Sequence, residues 1–227
     1  MNRIDTLVFD LDGTLTDNYA GISACITHAL VRLGAAVPDE ARLRACVGPP
    51  LRASFREFLA TDEPAHIEQA IAHYRERFDV HGWQENVPYA GIEQALQRLA
   101  ADGYRMLVCT SKPQRYADRI VEHFGLRPFF EAVHGPDLAG ALDDKRALLA
   151  HAIGERGIDP ARALMIGDRA QDMRAAGANG VRGLGVLYGY GSREELLGAG
   201  AAALCATVDA LPAAIDACAG LNTRTSS

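Results

Sequence analysis

Hydrophobic positions along the chain change their period after the first strand-like run and again near residue 89. The run Thr6-Leu7-Val8-Phe9 has strand character and ends abruptly at Asp10. Ile22, Ile26, Leu30 and Leu33 then recur at helical spacing, and Gly34 stops that helix. Asp39 is placed to cap a second helix running through Cys46, and Gly48-Pro49-Pro50 is a break. Leu51, Phe55, Phe58 and Leu59 form a third stripe. Asp62-Glu63-Pro64 opens a fourth helix with Ile67, Ile71, Tyr74 and Phe78 on one face. The pattern predicts an all-helical block over residues 17–80.

From Tyr89 the chain alternates short apolar runs with helical stripes. Helix Ile92–Leu99 ends at Gly103 and is followed by the strand Arg105–Cys109. Pro113 starts a helix closed by Gly125, and a short strand near Ala132-Val133-His134 leads into a loop with Asp137, Asp143 and Asp144. After a helix holding Leu148, Leu149 and Ile153 come the strand Ala163–Ile166, a helix near Ala170–Ala178 and a strand ending at Val186-Leu187. A helix from Arg193 and a last strand-helix pair complete the order. Such alternation predicts an α/β fold, a doubly wound, mostly parallel sheet. The helical block is inserted after its first strand, giving a core of residues 1–16 and 81–221, a cap of 17–80 and a polar tail of 222–227.

Composition narrows the function classes. A hydrophobic share of 48% with no apolar run of about 18 residues predicts a soluble globular protein without a membrane partner. The formal charge of −6, with acids and bases mixed, leaves no basic stripe for a nucleic-acid polymer. The five cysteines are dispersed without a CxxC pair, as suits buried thiols in a reducing, cytoplasmic compartment. The seven histidines show no ligand spacing and are expected at the surface or in local structure. Monomer and homodimer are both compatible with the sequence.

Chemistry collects at strand ends. In a doubly wound sheet, sites form beyond the carboxyl ends of the strands. The first apolar run ends in Asp10 and Asp12, the second in Thr110-Ser111-Lys112, and a later one in Gly167-Asp168-Arg169 with Asp172 one turn on. Clustered carboxylates repel one another and call for a hard cation with oxygen ligands; Mg²⁺ commonly takes one or two carboxylates with waters and phosphate. One carboxylate of such a set can act as nucleophile toward phosphorus, and a second can move protons. A hydroxyl and a lysine can bind the non-bridging oxygens. Simpler roles exist for each: Asp12-Gly13 suits a turn, Thr110 and Ser111 suit a helix cap, and Asp172 suits a first helical turn.

The segment Asp10-Leu11-Asp12-Gly13-Thr14-Leu15 resembles the first motif of the haloacid dehalogenase-like phosphohydrolases. Val108-Cys109-Thr110-Ser111-Lys112-Pro113 is similar to the second, Lys145 in Asp143-Asp144-Lys145 to the third, and Gly167-Asp168-Arg169 through Asp172 to the fourth. The helical insert, Gly48-Pro49-Pro50-Leu51 and Leu187–Ser192 resemble the phosphoglycolate phosphatase-like branch, especially its 5′-nucleotidase-like members. The resemblance covers almost the whole chain and implies a Rossmann-like core with an α-helical cap. It implies Asp10 as nucleophile and Mg²⁺ ligand, and Asp12 as general acid/base that also offers its backbone carbonyl to the metal. Thr110 would bind the phosphoryl group with Ser111 and Gly13 nearby, and Lys145 would neutralise charge on Asp10 and phosphate. Asp168 would hold Mg²⁺ and Asp172 would support it.

These residues suit a Mg²⁺-dependent phosphatase acting on a small phosphorylated metabolite through an aspartyl-phosphate. Phosphoglycolate, nucleoside monophosphates and sugar phosphates all remain open as substrates. A phosphomutase uses the same aspartates, and a phospho-accepting domain uses a similar set; Asp12, placed for turnover, argues against the latter. Lys112 is an alternative phosphate ligand. Arg52 and Arg56 are candidates for a second anionic group of the substrate, although a solvated helix face explains them equally well. The crossings near Thr16-Asp17 and Val80–Tyr89 are expected to act as hinges for a closing cap.

Overall fold

A computed structural model describes residues 3–137 and 142–220. The expected tail at 222–227 lies outside the described residues. The chain divides into two compact units, one of residues up to Thr16 with those from Pro88 on, the other Asp17–Val87.

In chain order the elements are β1 (Thr6–Phe9), β2 (Thr16–Asp17), α1 (Tyr19–Arg32), α2 (Glu40–Ala45), α3 (Leu51–Leu59), α4 (Pro64–Arg77) and β3 (Val87–Pro88). They continue with α5 (Ile92–Ala101), β4 (Arg105–Cys109), α6 (Gln114–His123), β5 (Ala132–His134), α7 (Lys145–Arg156) and β6 (Ala163–Gly167). The last are α8 (Ala170–Ala178), β7 (Arg182–Val186), α9 (Arg193–Gly198), β8 (Ala203–Cys205) and α10 (Leu211–Gly220). Within the described residues no helix is long and apolar enough to cross a membrane.

The core unit is built on a parallel six-stranded sheet in the order β5-β4-β1-β6-β7-β8. Strands of such a sheet are covered on both faces, so they can be apolar throughout. Leu7, Val8 and Phe9 are accordingly fully buried. Leu148 and Leu149 of α7 and Ala175 and Ala176 of α8 share a core cluster with Val8, Leu107 and Met165. From β1 the chain runs outward through β4 and β5, then returns to the other side of β1 for β6, β7 and β8. The order reverses beside β1, which is where a crevice opens in folds of this class.

Register fixes what emerges there. Phe9 stands opposite Val108 on β4 and Ile166 on β6. The residues just beyond these pairs are Asp10, Cys109 and Gly167, with Thr110 and Asp168 one further along. Helix α7 starts at Lys145 because the Asp144 carboxylate caps it, accepting the Arg146 N–H at 2.9 Å. The α7 helix ends at Gly157, whose left-handed conformation closes it.

The helical unit packs α1 against α4, with Ile26 and Leu30 buried, and Tyr74 stacks on Phe78 at 5.4 Å. The unit runs to Val87, past the residue 80 that the pattern suggested. The reason is a π-helical turn, Phe78–Gly82, that continues α4 and buries Phe78. Arg77 holds the following segment through a bidentate pair with Glu85 at 2.7 and 2.9 Å.

Candidate active site

Asp10 leaves β1 with its N–H donating to Ile166 O at 2.9 Å, so the backbone stays tied to β6 while the side chain departs. Its Oδ1 accepts the Leu11 N–H at 2.7 Å and its Oδ2 lies 2.9 Å from Lys145 Nζ. Lys145 also contacts Asp172 Oδ1 at 2.5 Å. All three side chains are buried. Burial opposes the lysine's charge, but Asp10 and Asp172 more than offset it and hold its pKa above the ordinary lysine value.

Asp12 has a different partner. Its Oδ2 lies 2.8 Å from Lys112 Nζ, while its Oδ1 is buried with no hydrogen-bond partner. Burial raises its pKa, against the opposing pull of Lys112. The two aspartates of one turn are therefore attached to two separate lysines. Thr110 is buried beside them, and its Oγ1 accepts the Lys112 N–H at 3.2 Å, which fixes the hydroxyl as part of the turn. Ser111 is only partly buried.

Asp168 follows β6 and is fully buried. Its Oδ2 accepts the Tyr190 N–H at 2.8 Å, and its Oδ1 has no partner. Asp172, in the first turn of α8, accepts the Arg169 N–H at 2.9 Å. Burial drives the Asp168 pKa well up, with Asp172 and Asp10 adding repulsion. Burial likewise pushes Asp172 up to about 6 even beside Lys145.

Among the described residues, Asp10, Asp168 and Asp172 offer carboxylate oxygens that all lie within 4.8 Å of one another. Three buried carboxylates held that close, one with an orphaned oxygen, carry more negative charge than Lys145 alone balances. An all-oxygen donor set of this kind fits a hard divalent cation such as Mg²⁺. The residues present therefore suit the metal that the sequence implied.

Of the residues singled out by the sequence, Asp10, Asp12, Thr110, Ser111, Lys145, Asp168 and Asp172 belong to the core unit and emerge from β1, β4, β6, α7 and α8. Gly13 lies with them, but its N–H donates to Thr16 O at 2.7 Å and so is committed within the turn. Its φ of +80° and its closeness to Asp168, where an added Cβ would sit 2.2 Å from Oδ2, explain the glycine structurally. Arg52 belongs to the helical unit, where it donates to Glu68 at 2.8 Å, and Arg56 pairs with Asp62 at 2.9 Å.

Two contacts go beyond what the sequence indicates. The ammonium of Lys112, a candidate phosphate ligand, lies on Asp12 at 2.8 Å. Gly189-Tyr190-Gly191 wraps Asp168 so closely that a Cβ on Gly191 would meet Asp168 O at 1.9 Å. The signal available was the pair of glycines flanking Tyr190 just after β7, which marks close backbone approach.

Comparison with known proteins places the chain in a family. Residues 7–186 match the family model described as haloacid dehalogenase-like hydrolase. A 5′-nucleotidase from Pseudomonas aeruginosa is 42% identical, over 92% of this chain and 94% of that one. The tyrosine-protein kinase PtkA of Mycobacterium tuberculosis is 38% identical over 83% of this chain and 64% of its own. A phosphoglycolate phosphatase from Caulobacter vibrioides is 35% identical, over 86% and 84%. The crystal structure of a predicted phosphatase from Clostridium acetobutylicum superposes with a TM-score of 0.90 at 39% identity, covering 96% of this chain and all of that one. With four ordered motifs on one sheet edge and a family model spanning most of its length, the chain belongs to the haloacid dehalogenase-like hydrolases.

Proposed function

We propose that the protein is a Mg²⁺-dependent phosphatase that hydrolyses a small phosphomonoester in two steps through Asp10. The observation that carries this reading is the separation of partners at one turn: Asp10 is held by Lys145 at 2.9 Å and Asp12 by Lys112 at 2.8 Å. Two carboxylates in different environments can take different roles, one ionised and attacking, the other cycling a proton.

In the first step an Asp10 carboxylate oxygen forms a bond to phosphorus as the bond to the ester oxygen breaks. Asp12 gives its proton to that leaving oxygen, so the alcohol departs neutral. In the second step water attacks phosphorus, Asp12 takes its proton, and the P–O bond to Asp10 breaks to release orthophosphate. Lys145 balances the charge of Asp10 and of the transferring group, and the Thr110 hydroxyl is a donor for a non-bridging oxygen. Asp10, Asp168 and Asp172, with the Asp12 carbonyl, would hold Mg²⁺, which when bound supplies further charge stabilisation at the phosphoryl oxygens.

The relatives named 5′-nucleotidase and phosphoglycolate phosphatase support nucleoside monophosphates and phosphoglycolate as first substrates to assay, with sugar phosphates beside them. The test measures orthophosphate release from this panel with and without Mg²⁺, for the native chain and Asp10→Asn. Substitution is expected to lower turnover by roughly 10³-fold or more without unfolding the protein. Undiminished turnover in the folded variant would overturn the nucleophile. Isomerised sugar phosphate in place of free phosphate would mark a mutase. The similarity to a chain named a tyrosine kinase favours a second reading, phosphoryl transfer to protein, for which phosphotyrosine formed from ATP would be the sign.

A further inference from the structure

Away from the strand-end carboxylates, the core unit holds a second cluster of metal-binding type. His134 ends β5, and His151 and Glu155 lie one turn apart on α7. One ligand atom from each falls within 4.8 Å of the others. Glu155 Oε2 lies 3.3 Å from His151 Nε2 and 3.9 Å from His134 Nδ1. A tetrahedral ion about 2.0–2.1 Å from each donor needs donors roughly 3.3–3.5 Å apart. Modest side-chain rotation reaches that spacing.

Three further observations point to a ligand. His134 is 6% exposed, and the nitrogen it turns to Glu155 is Nδ1, which at 3.9 Å stands beyond hydrogen-bonding distance, while the other ring nitrogen, Nε2, has no hydrogen-bond partner. Glu155 is oriented by Arg156, which takes Oε1 at 3.0 Å and leaves Oε2 toward the histidines. His151 and Glu155 are about half exposed, so an ion has a path from solvent.

We propose that His134, His151 and Glu155 bind a borderline divalent transition ion of the Zn²⁺ class, with water completing its coordination. Two imidazoles and one carboxylate suit such an ion better than Mg²⁺, which prefers oxygen ligands. The bound ion would tie β5 to α7. The His134 carbonyl accepts the Thr110 N–H at 2.9 Å, and Lys145 begins α7, so both elements also position candidate active-site groups.

The test uses the full chain, stripped with chelator and then saturated with Mg²⁺ to occupy oxygen-ligand sites. Co²⁺ is added as a spectroscopic probe, and Zn²⁺ in parallel for calorimetry and thermal melts. The native chain is expected to show the visible band of nitrogen-ligated, low-coordinate Co²⁺ and to gain thermal stability with Zn²⁺. His151→Ala and Glu155→Gln, both at half-exposed positions that the fold tolerates, should bind the ion at least ten-fold more weakly and lose the band. Binding and spectra unchanged in both variants, or no such band in the native chain, would overturn the site.

Discussion

Lys112 Nζ lies 2.8 Å from Asp12 Oδ2, and both side chains are buried. A lysine three residues beyond β4 thus compensates the carboxylate that follows β1. Removing one member of a buried pair leaves the other uncompensated, at a cost of about 3–5 kcal/mol. Lys112→Met is therefore expected to lower unfolding free energy by that order. Lys112→Met combined with Asp12→Leu should cost clearly less than the two single changes summed. Urea denaturation of the four proteins measures the coupling, and strict additivity would show that the pair does not interact.

Asp168 and Asp172 make metal affinity depend on pH. Burial raises both above the ordinary 3.8, Asp172 to about 6. The folded, metal-free protein therefore binds more protons there than the unfolded chain does. For Asp172 that contribution to stability is full below about pH 4 and is lost as pH rises through 6, and Asp168 shifts in the same direction. Mg²⁺ requires the ionised forms, so its stabilisation should grow over the same interval. Melting temperatures with and without Mg²⁺ at pH 5 and pH 8 should show the larger shift at pH 8; equal shifts would contradict the assignment. Asp168→Asn should weaken the Mg²⁺ response by at least ten-fold in concentration.

Glycines at the site and in a helix should respond in opposite ways to the same change. At Gly13 the positive φ and the 2.2 Å approach to Asp168 Oδ2 make alanine costly, by about 1–3 kcal/mol. Gly154, inside α7, has nothing within 4 Å of an added Cβ. Gly154→Ala is expected to stabilise by about 0.5–1 kcal/mol through helix propensity. Denaturation midpoints of the two variants should move in opposite directions.

The thiols should be silent in the native state. All five cysteines are buried, and burial pushes Cys109 up to about 12. At pH 8 that thiol stays protonated, and a thiol reagent should label the folded protein only as fast as it opens. Denaturant should expose all five at once. The contribution of Cys109 to stability is full below pH 9 and is lost as pH rises through 12. Rapid native labelling of Cys109 would show that the core around β4 is open.

Local pattern carried much of the fold. The β4 strand appears over the span its apolar run predicted, Asp39 caps α2 by accepting the Arg42 N–H at 2.9 Å, and α8 covers Ala170–Ala178. These features rest on neighbours in sequence, where hydrophobic period and capping chemistry act directly. The end of the helical unit was less legible. The Phe78–Gly82 turn has no periodic signature of its own and is held by Arg77, Glu85 and the packing of Phe78.

The sequence by itself determined that carboxylates, a hydroxyl and lysines stand at strand ends, because parallel-strand pairing sends every such end to the same edge. Tertiary structure decided which charge meets which. Lys145 reaches Asp10 and Asp172 because the buried face of α7 lays its N-terminus against the sheet, whereas Lys112 turns to Asp12. It also brought His134, remote in sequence, beside His151 and Glu155, which already share one face of α7. Pairing among buried charges is chosen by distances across elements and by the cost of leaving any one uncompensated. Both quantities exist only once the chain has folded.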